Sequence, residues 1–256
     1  MTTRVDYDAI AHLYDERRRD HAPDTRLEAF IAERHGGRAA EVRVLDVGCG
    51  TGKQLAANRA RFGSIGLVGV DRSAGMLSIA RARDASVTWI EGDAQALPFR
   101  SAAFDYATNQ FSYPHIADKP RFAAEVFRVL RPGGRFVLTN IDPWAMEHWI
   151  LYRYFPDGRA LDDRDFLPRA GLERLLGDAG FTRITGTSVD LSADEDLEAF
   201  LAYASKRYSA SQLMAMPDAS YEAGLRRVRD ALAAAGGQAA MRSEFVVLTI
   251  TADKPD

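Results

Sequence analysis

Residues 44–52, with the sequence VLDVGCGTG, constrain the fold more than any other stretch of the chain. The apolar, β-branched run over 42–47 predicts a short buried parallel strand. Gly48, Gly50 and Gly52 follow at alternate positions, where they let the backbone turn sharply and bring its N–H groups against a ligand. Helix-forming residues continue over 53–62, so the stretch is typical of a turn that binds a nucleotide cofactor. A dinucleotide fingerprint would require its third glycine one residue later, where Lys53 stands.

The length of 256 residues fits one elaborated domain better than two independent ones. We predict a single domain over 1–256, with an N-terminal helical lid at 1–40, a cofactor-binding core at 41–140 and a C-terminal part at 141–256. That C-terminal part would carry a helical cap inserted at about 190–243. The alternative for the first helices, whose apolar face precedes the charged run 15–20, is that they only cover the sheet.

Composition excludes several classes of protein. The net charge of −3 shows no basic excess that would suit nucleic acid, and the single cysteine, Cys49, excludes an internal disulfide and a cysteine-cluster metal site. No apolar stretch approaches the ~20 residues of a membrane span, and the N-terminus lacks the apolar core of a signal peptide. We therefore expect a cytoplasmic protein, monomeric or homodimeric, with no nucleic-acid partner, no membrane span and no metal.

Apolar strand patterns and helical patterns alternate along most of the chain. Strands are predicted at 42–47, 67–70, 87–90, 104–108, 135–139, 181–189 and 244–251. Helices are predicted at 24–34, 53–62, 74–83, 122–130, 168–180 and 221–235, and at 192–203, where the sequence from Ser192 to Glu195 resembles a capping box. Strands separated by helices predict parallel pairing with right-handed crossovers, and so a doubly wound α/β sheet.

Acidic residues end the second and third predicted strands. Asp71, 23 residues after Gly48, can accept hydrogen bonds from both hydroxyls of a ribose, as it would in a nicotinamide dinucleotide site. Asp93 could accept from the exocyclic amine of an adenine, while Ala94 offers a backbone N–H. A cofactor built on adenosine therefore suits this edge of the sheet.

The order of these motifs resembles the class I S-adenosylmethionine-dependent methyltransferases, most closely the small-molecule group that includes the ubiquinone and menaquinone biosynthesis methyltransferases. The matching segments are 44–52, GVDRSAGML at 69–77, EGDAQALPF at 91–99, Phe104-Asp105 and EVFRVLRPGGRF at 125–136. The resemblance implies a Rossmann-like, seven-stranded sheet with its last strand antiparallel. It also implies S-adenosyl-L-methionine as the cofactor, with the glycines along its methionine part, Asp71 on the ribose and Asp93 with Ala94 around the adenine. The full predicted cofactor set is Tyr14, Asp46, Gly48, Cys49, Gly50, Gly52, Asp71, Arg72, Met76, Asp93, Ala94, Asn109 and Gln110.

Two histidines are candidate general bases for methyl transfer. His115 follows the fourth predicted strand, and His148 lies in the aromatic segment after the fifth, so both could reach the ligand edge. The expected activity is in-line transfer of a methyl group to an O, N or C atom of a small, partly apolar or aromatic molecule. Two alternatives stay open: a cofactor-binding regulatory protein without turnover, and a nicotinamide-dependent oxidoreductase.

Overall fold

The computed structural model describes residues 5–17, 21–236 and 239–256. Predictions that concern residues 1–4, the end of the charged run at 18–20, and Gly237 therefore lie outside the described residues. The chain divides into two compact units. We call Tyr7–Asn140, Ala170–Thr187 and Thr249–Asp256 the sheet unit. The helical unit consists of Ile141–Arg169 and Ser188–Leu248, with residues 5–6.

A seven-stranded sheet forms in the order β3-β2-β1-β4-β5-β9-β6, as the resemblance implied. The strands are β1 Arg43–Val47, β2 Gly66–Asp71, β3 Thr88–Glu91, β4 Phe104–Gln110, β5 Leu130–Ile141, β6 Thr182–Asp190, β7 Ala193–Asp196, β8 Ala240–Ser243 and β9 Val246–Asp253. Strand β1 pairs in parallel with both β2 and β4, and its last four residues are buried, which agrees with the apolar run in the sequence. The order reverses beside β1, so the carboxyl ends of β1 and β4 lie where open α/β sheets bind ligands.

The last strand, β9, runs antiparallel to β5. The backbone N–H of Lys254 donates to the carbonyl of Gly134 over 2.8 Å, and the hydroxyls of Thr139 and Thr249 lie 3.0 Å apart. Residue numbers on β9 therefore fall as those on β5 rise, which confirms the predicted direction.

The described residues also form a series of helices along the chain. They are α1 Tyr7–Arg17, α2 Thr25–His35, α3 Lys53–Phe62, α4 Ala74–Arg83, α5 Lys119–Val129, α6 Ile150–Tyr154, α7 Asp157–Asp165, α8 Arg169–Asp178, α9 Leu197–Ala204, α10 Ser211–Ala215 and α11 Asp218–Ala234. Local sequence explains their ends: the carboxylate of Asp24 accepts from the N–H of Arg26 at the start of α2, and Gly36 ends that helix in a left-handed conformation. None of the helices within the described ranges is both long enough and apolar enough to cross a bilayer.

The predicted capping box at 192–195 is wrong. Residues Ala193–Asp196 form strand β7, which pairs antiparallel with β8, and helix α9 starts after it. The cap is Asp196, whose carboxylate accepts from the backbone N–H of Ala199 over 2.7 Å. Pairing with a strand more than 40 residues away replaced the local helical preference.

Each unit has its own apolar core. In the sheet unit, buried side chains of α2 and α3 pack on the strands. Leu27 and Phe30 of α2 belong to this core together with Val44 of β1 and Tyr106 of β4. In the helical unit, the aromatic segment after β5 contributes mostly to the core, where Tyr152, Tyr154 and Phe155 are buried with helices α9 and α11. The predicted insert at 190–243 covers only part of this unit, which also contains Ile141–Arg169.

Candidate functional site

The three glycines of the turn after β1 have different surroundings. All three have positive φ, at 73°, 53° and 77°. A Cβ on Gly48 would lie 2.1 Å from the hydroxyl of Ser112, and one on Gly52 would lie 2.4 Å from the ring of Trp89. A Cβ on Gly50 would meet no described atom within 4 Å. Packing thus requires glycine at 48 and 52, while Gly50 exposes its backbone to open space.

The carboxylate of Asp71 holds this turn against the start of α4. Its Oδ2 accepts from the N–H of Gly50 and its Oδ1 from the N–H of Ser73, each over 2.9 Å. Burial raises the pKa of Asp71, although these hydrogen bonds oppose the shift. The side chain therefore lies beside the open glycine, and its role on the ribose stays a prediction.

Asp46, on β1 beneath the turn, is a buried carboxylate with an unsatisfied oxygen. Its Oδ1 has no hydrogen-bond partner in the described chain, and the same holds for the hydroxyl of Thr108, its register partner on β4. Burial, together with the negative charges of Asp71 and Asp24, raises the pKa of Asp46 to about 7. The carboxylates of Asp24 and Asp71 thus act on the same buried site as Asp46, and a cation bound there would be favoured.

Asn109, at the end of β4, ties that strand to β1. Its side-chain amide donates to the carbonyl of Val47 over 2.8 Å and to the hydroxyl of Ser112 over 2.5 Å, and the side chain is fully buried. Its Oδ1 is without a partner among the described residues. Asn109 therefore fixes the position of Val47, the residue that precedes the glycine turn.

Gln110 faces a pocket of about 170 Å³ within the sheet unit. The pocket is lined mainly by polar residues from the start of α2, from α3 and from the ends of β4 and β5, namely Ala22, Pro23, Asp24, Thr25, Arg26, Gln54, Gln110, Val137 and Thr139. Its volume is below the ~300 Å³ at which pockets for whole drug-sized ligands begin, so it suits part of a ligand. The amide of Gln110 hydrogen-bonds no other residue of the described chain, which leaves it available to that part.

The residues predicted to border the adenine are at least partly exposed. Asp93 is exposed and accepts from the backbone and side-chain N–H groups of Gln95, which lower its pKa. Ala94 is half-buried beside it, whereas Arg72 is exposed and Met76 is buried within α4. Within the described residues, no hydrogen bond joins Arg72, Met76, Asp93 or Ala94 to the glycine turn, and their cofactor roles stay predictions.

Cys49 packs inside the turn. Burial raises the pKa of its thiol well above the ordinary value, so the group is a poor nucleophile. Its sulfur would lie 2.8 Å from a Cβ placed on Gly69, so it fills space against β2. Within the described ranges, no three His, Cys, Asp or Glu side chains are grouped so that they could hold a metal ion.

Helix α1 is attached to the same region by polar contacts that the sequence did not predict. The carboxylate of Asp8 accepts from the N–H of Gly75 and the hydroxyl of Ser73, each over 2.7 Å, at the start of α4. Asp15 binds Arg83 with both carboxylate oxygens, each at 2.7 Å. Only the helical pattern around these acidic residues could have been found in the sequence, because their partners lie more than 60 residues away.

Helix α1 also reaches the candidate base His115. The hydroxyl of Tyr7 and Nε2 of His115 lie 2.7 Å apart, with the two rings nearly perpendicular. Tyr14 meets the ring of Tyr7 edge-on, with ring centroids 6.0 Å apart. The structure thus brings together His115 and the N-terminal tyrosines of the sheet unit.

His148 belongs to the helical unit and has a different setting. Its side chain is 73% exposed, and its Nδ1 lies 3.2 Å from Oε1 of Glu244. Its backbone N–H also donates to Glu244. This pair joins two surface segments of the helical unit, and the catalytic role of His148 stays a prediction.

Comparisons with known proteins agree with this geometry. The family model described as a methyltransferase domain matches residues 45–138. The chain is 30% identical to a ubiquinone/menaquinone biosynthesis C-methyltransferase of Desulfotalea psychrophila, over 75% of this chain and 76% of that protein. Over 41% of its length, this chain is also 40% identical to the demethylmenaquinone methyltransferase of Thermus thermophilus. The match spans about half of the latter protein, 49%.

A solved structure shares the fold over almost the whole chain. A phosphoethanolamine N-methyltransferase of Haemonchus contortus superposes with a TM-score of 0.61 at 22% identity, covering 97% of this chain and 58% of that one. With the fold, the glycine turn and these relatives established, the chain belongs to the class I S-adenosylmethionine-dependent methyltransferases. Within that family it is similar to the ubiquinone and menaquinone biosynthesis methyltransferases, which confirms the resemblance found in the sequence.

Proposed function

We propose that the chain binds S-adenosylmethionine at the glycine turn and transfers its methyl group to a small molecule. The observation that carries the proposal is the group of carboxylates around an open backbone: Asp71 lies 2.9 Å from the N–H of Gly50, and Asp46 is buried beneath with an unsatisfied oxygen. When bound, the cofactor supplies a methyl group on a positively charged sulfur. The field of Asp24, Asp46 and Asp71 favours such a cation.

Different residues would contact different parts of the cofactor. The N–H groups around Gly50 would contact its methionine part, Asp71 would accept from the ribose hydroxyls, and Asp93 with Ala94 would border the adenine. Because Asp71 already accepts from two backbone N–H groups, its carboxylate is held in place before any ligand arrives. This arrangement favours binding without rearrangement of the turn.

The acceptor would enter beside the end of β4. We propose a small, partly apolar or aromatic acceptor methylated on an O, N or C atom, since relatives of the chain are named for methylation of quinone precursors. His115 could take up a proton by way of the Tyr7 hydroxyl, which lies 2.7 Å from Nε2 and would donate its own proton there while it receives one from the acceptor. A lid formed by 1–40, a cytoplasmic location and a monomeric or homodimeric state stay predictions.

Titration calorimetry with S-adenosylmethionine and S-adenosylhomocysteine tests the cofactor assignment. We expect both to bind, and Asp71→Ala to weaken binding while Asp165→Ala, a surface carboxylate paired with Arg164, leaves it unchanged. Failure of both ligands to bind would contradict the proposal, and fluorescence energy transfer from the protein to NADH would instead support the oxidoreductase alternative. Cofactor binding without a methylated product from a broad acceptor library would favour a regulatory protein.

A further inference from the structure

Phe111 has a backbone conformation that is unfavourable for its side chain. It directly follows β4 and has a φ of 55°, in the left-handed region. Among the described residues, only Ala102 and Arg183 share positive φ without being glycine. A bulky side chain in this region is a true outlier, and such outliers cluster at ligand sites because the surrounding structure maintains them there.

Neighbouring contacts hold this backbone turn in place. The N–H of Phe111 donates to the carbonyl of Thr139 on β5 over 2.9 Å. The next residue, Ser112, then folds back so that its hydroxyl lies 3.3 Å from the carbonyl of Val47 and directly against Gly48. The chain therefore needs left-handed backbone at 111, a need that glycine would meet without steric cost. The presence of phenylalanine implies that its ring has a use.

The ring of Phe111 is partly exposed to solvent. The side chain is 36% exposed, and only a few other large apolar side chains of the described chain are exposed to this extent or more. It stacks on no aromatic ring and on no cation of the described residues, unlike most of the other phenylalanines, such as Phe104 and Phe136. Gln110 before it lines the polar pocket, and Ser112 after it supports the glycine turn. Phe111 thus lies in the chain between a residue of the polar pocket and a residue that contacts the glycine turn.

We propose that Phe111 is a specificity-determining residue, whose ring forms the wall against which a flat, unsaturated part of the methyl acceptor packs. The pocket that Gln110 lines would take the hydrogen-bonding end of the same acceptor, in place of the cofactor contact that the sequence predicts for Gln110. This inference rests on the proposed function and adds the shape of its acceptor: a polar end joined to a planar body. An aromatic ring favours such a body over a saturated one through offset or edge-to-face stacking.

Thermal denaturation of Phe111→Gly and Phe111→Ala tests the backbone argument. At a position with ordinary backbone angles the alanine variant is the more stable of the two. At a position with left-handed backbone the glycine variant is the more stable. We expect the midpoint of the glycine variant to exceed that of the alanine variant by about 2–4 °C. The opposite order would overturn the inference, because phenylalanine would then not be retained against backbone strain.

Binding of two matched probes, with and without S-adenosylhomocysteine, tests the role of the ring. The probes are 1-naphthol and its saturated analogue decahydro-1-naphthol, titrated by calorimetry into wild type, Phe111→Gly, Phe111→Leu and the control Leu191→Ala, an exposed apolar residue of the helical unit. We expect the Kd for 1-naphthol to rise about three- to tenfold in both Phe111 variants and to stay unchanged in the control. The saturated probe should change less than twofold.

The outcomes separate this inference from the proposed function. Equal 1-naphthol affinity in wild type and the Phe111 variants, or no detectable binding to wild type, overturns the role of Phe111 even if S-adenosylhomocysteine binds. A parallel loss of S-adenosylhomocysteine affinity in the variants also overturns it, because the ring would then serve the cofactor. Binding of 1-naphthol that depends on Phe111, without any cofactor binding, contradicts the proposed function and with it the assignment of the planar ligand as a methyl acceptor.

Discussion

Replacing Asp46 with asparagine should stabilise the protein at high pH and weaken its binding of the cationic cofactor. Asp46 is only 3% exposed, and burial together with the charges of Asp71 and Asp24 raises its pKa to about 7. Asparagine has nearly the same shape and carries no charge. The substitution therefore removes the charge from this site while changing the packing little.

The raised pKa sets both the sign and the size of the stability effect. Below pH ~3.8 Asp46 is protonated in the folded and unfolded chains, so its ionisation costs the fold nothing. Between pH ~4 and 7 the unfolded chain ionises first, and stability falls as pH rises. Above pH 7 the full cost of about 4 kcal/mol is present, from about three pKa units at 1.36 kcal/mol each. We expect asparagine to recover only about 1–3 kcal/mol, because its amide is also buried.

Denaturation of the ligand-free protein at pH 5 and pH 8 measures this effect. The gain should be larger at pH 8, where each kcal/mol corresponds to a rise of about 2–4 °C in the midpoint. Asp105→Asn is the matched control, since the carboxylate of this buried residue accepts from the N–H of Arg43 over 2.8 Å and from Arg131 over 2.6 Å. The control should lose about 1–3 kcal/mol at either pH.

Calorimetry with the two forms of the cofactor measures the functional side of the same change. S-adenosylmethionine carries the sulfonium charge and S-adenosylhomocysteine does not, so Asp46→Asn should weaken the first more than the second. In wild type the preference for S-adenosylmethionine should grow as pH rises through 7. A midpoint at pH 8 that is unchanged or lower in Asp46→Asn, or an equal loss for both ligands, would refute the electrostatic reasoning.

Three further predictions follow from contacts at the site. Asp71→Ala should weaken S-adenosylhomocysteine binding by about 1–3 kcal/mol in calorimetry, as expected for lost charge-assisted hydrogen bonds, and unchanged affinity would contradict the ribose assignment. Gly52→Ala should destabilise the protein by about 2 kcal/mol or more, because its Cβ would lie 2.4 Å from Trp89; an unchanged denaturation midpoint would show that the ring can move. His115→Ala should lower turnover by about 10²-fold or less for an amine that is already deprotonated and more for a hydroxyl or carbon acid, while a wild-type rate would exclude His115 from the reaction.

Local patterns in the sequence determined the scaffold of the site. The branched run before Gly48, the alternation of strands with helices and the acidic ends of β2 and β3 are properties of short segments. Their outcome depends on backbone sterics and side-chain alternation within each segment. The doubly wound sheet therefore followed from residues read in order, while the family and the antiparallel last strand of the seven followed from the resemblance that the ordered motifs show.

Tertiary structure alone decided what the individual residues of that scaffold do. Asp46 is buried and unsatisfied because of its neighbours across β1 and β4, and α1 is joined to α4 because Asp8 meets the N–H of Gly75. Strand β7 formed because β8 pairs with it, against the helical preference of its own residues. These features depend on groups brought together from distant parts of the chain, and a local pattern contains no information about such partners. For the same reason Phe111 looks ordinary in the sequence and becomes a distinctive residue only in the fold.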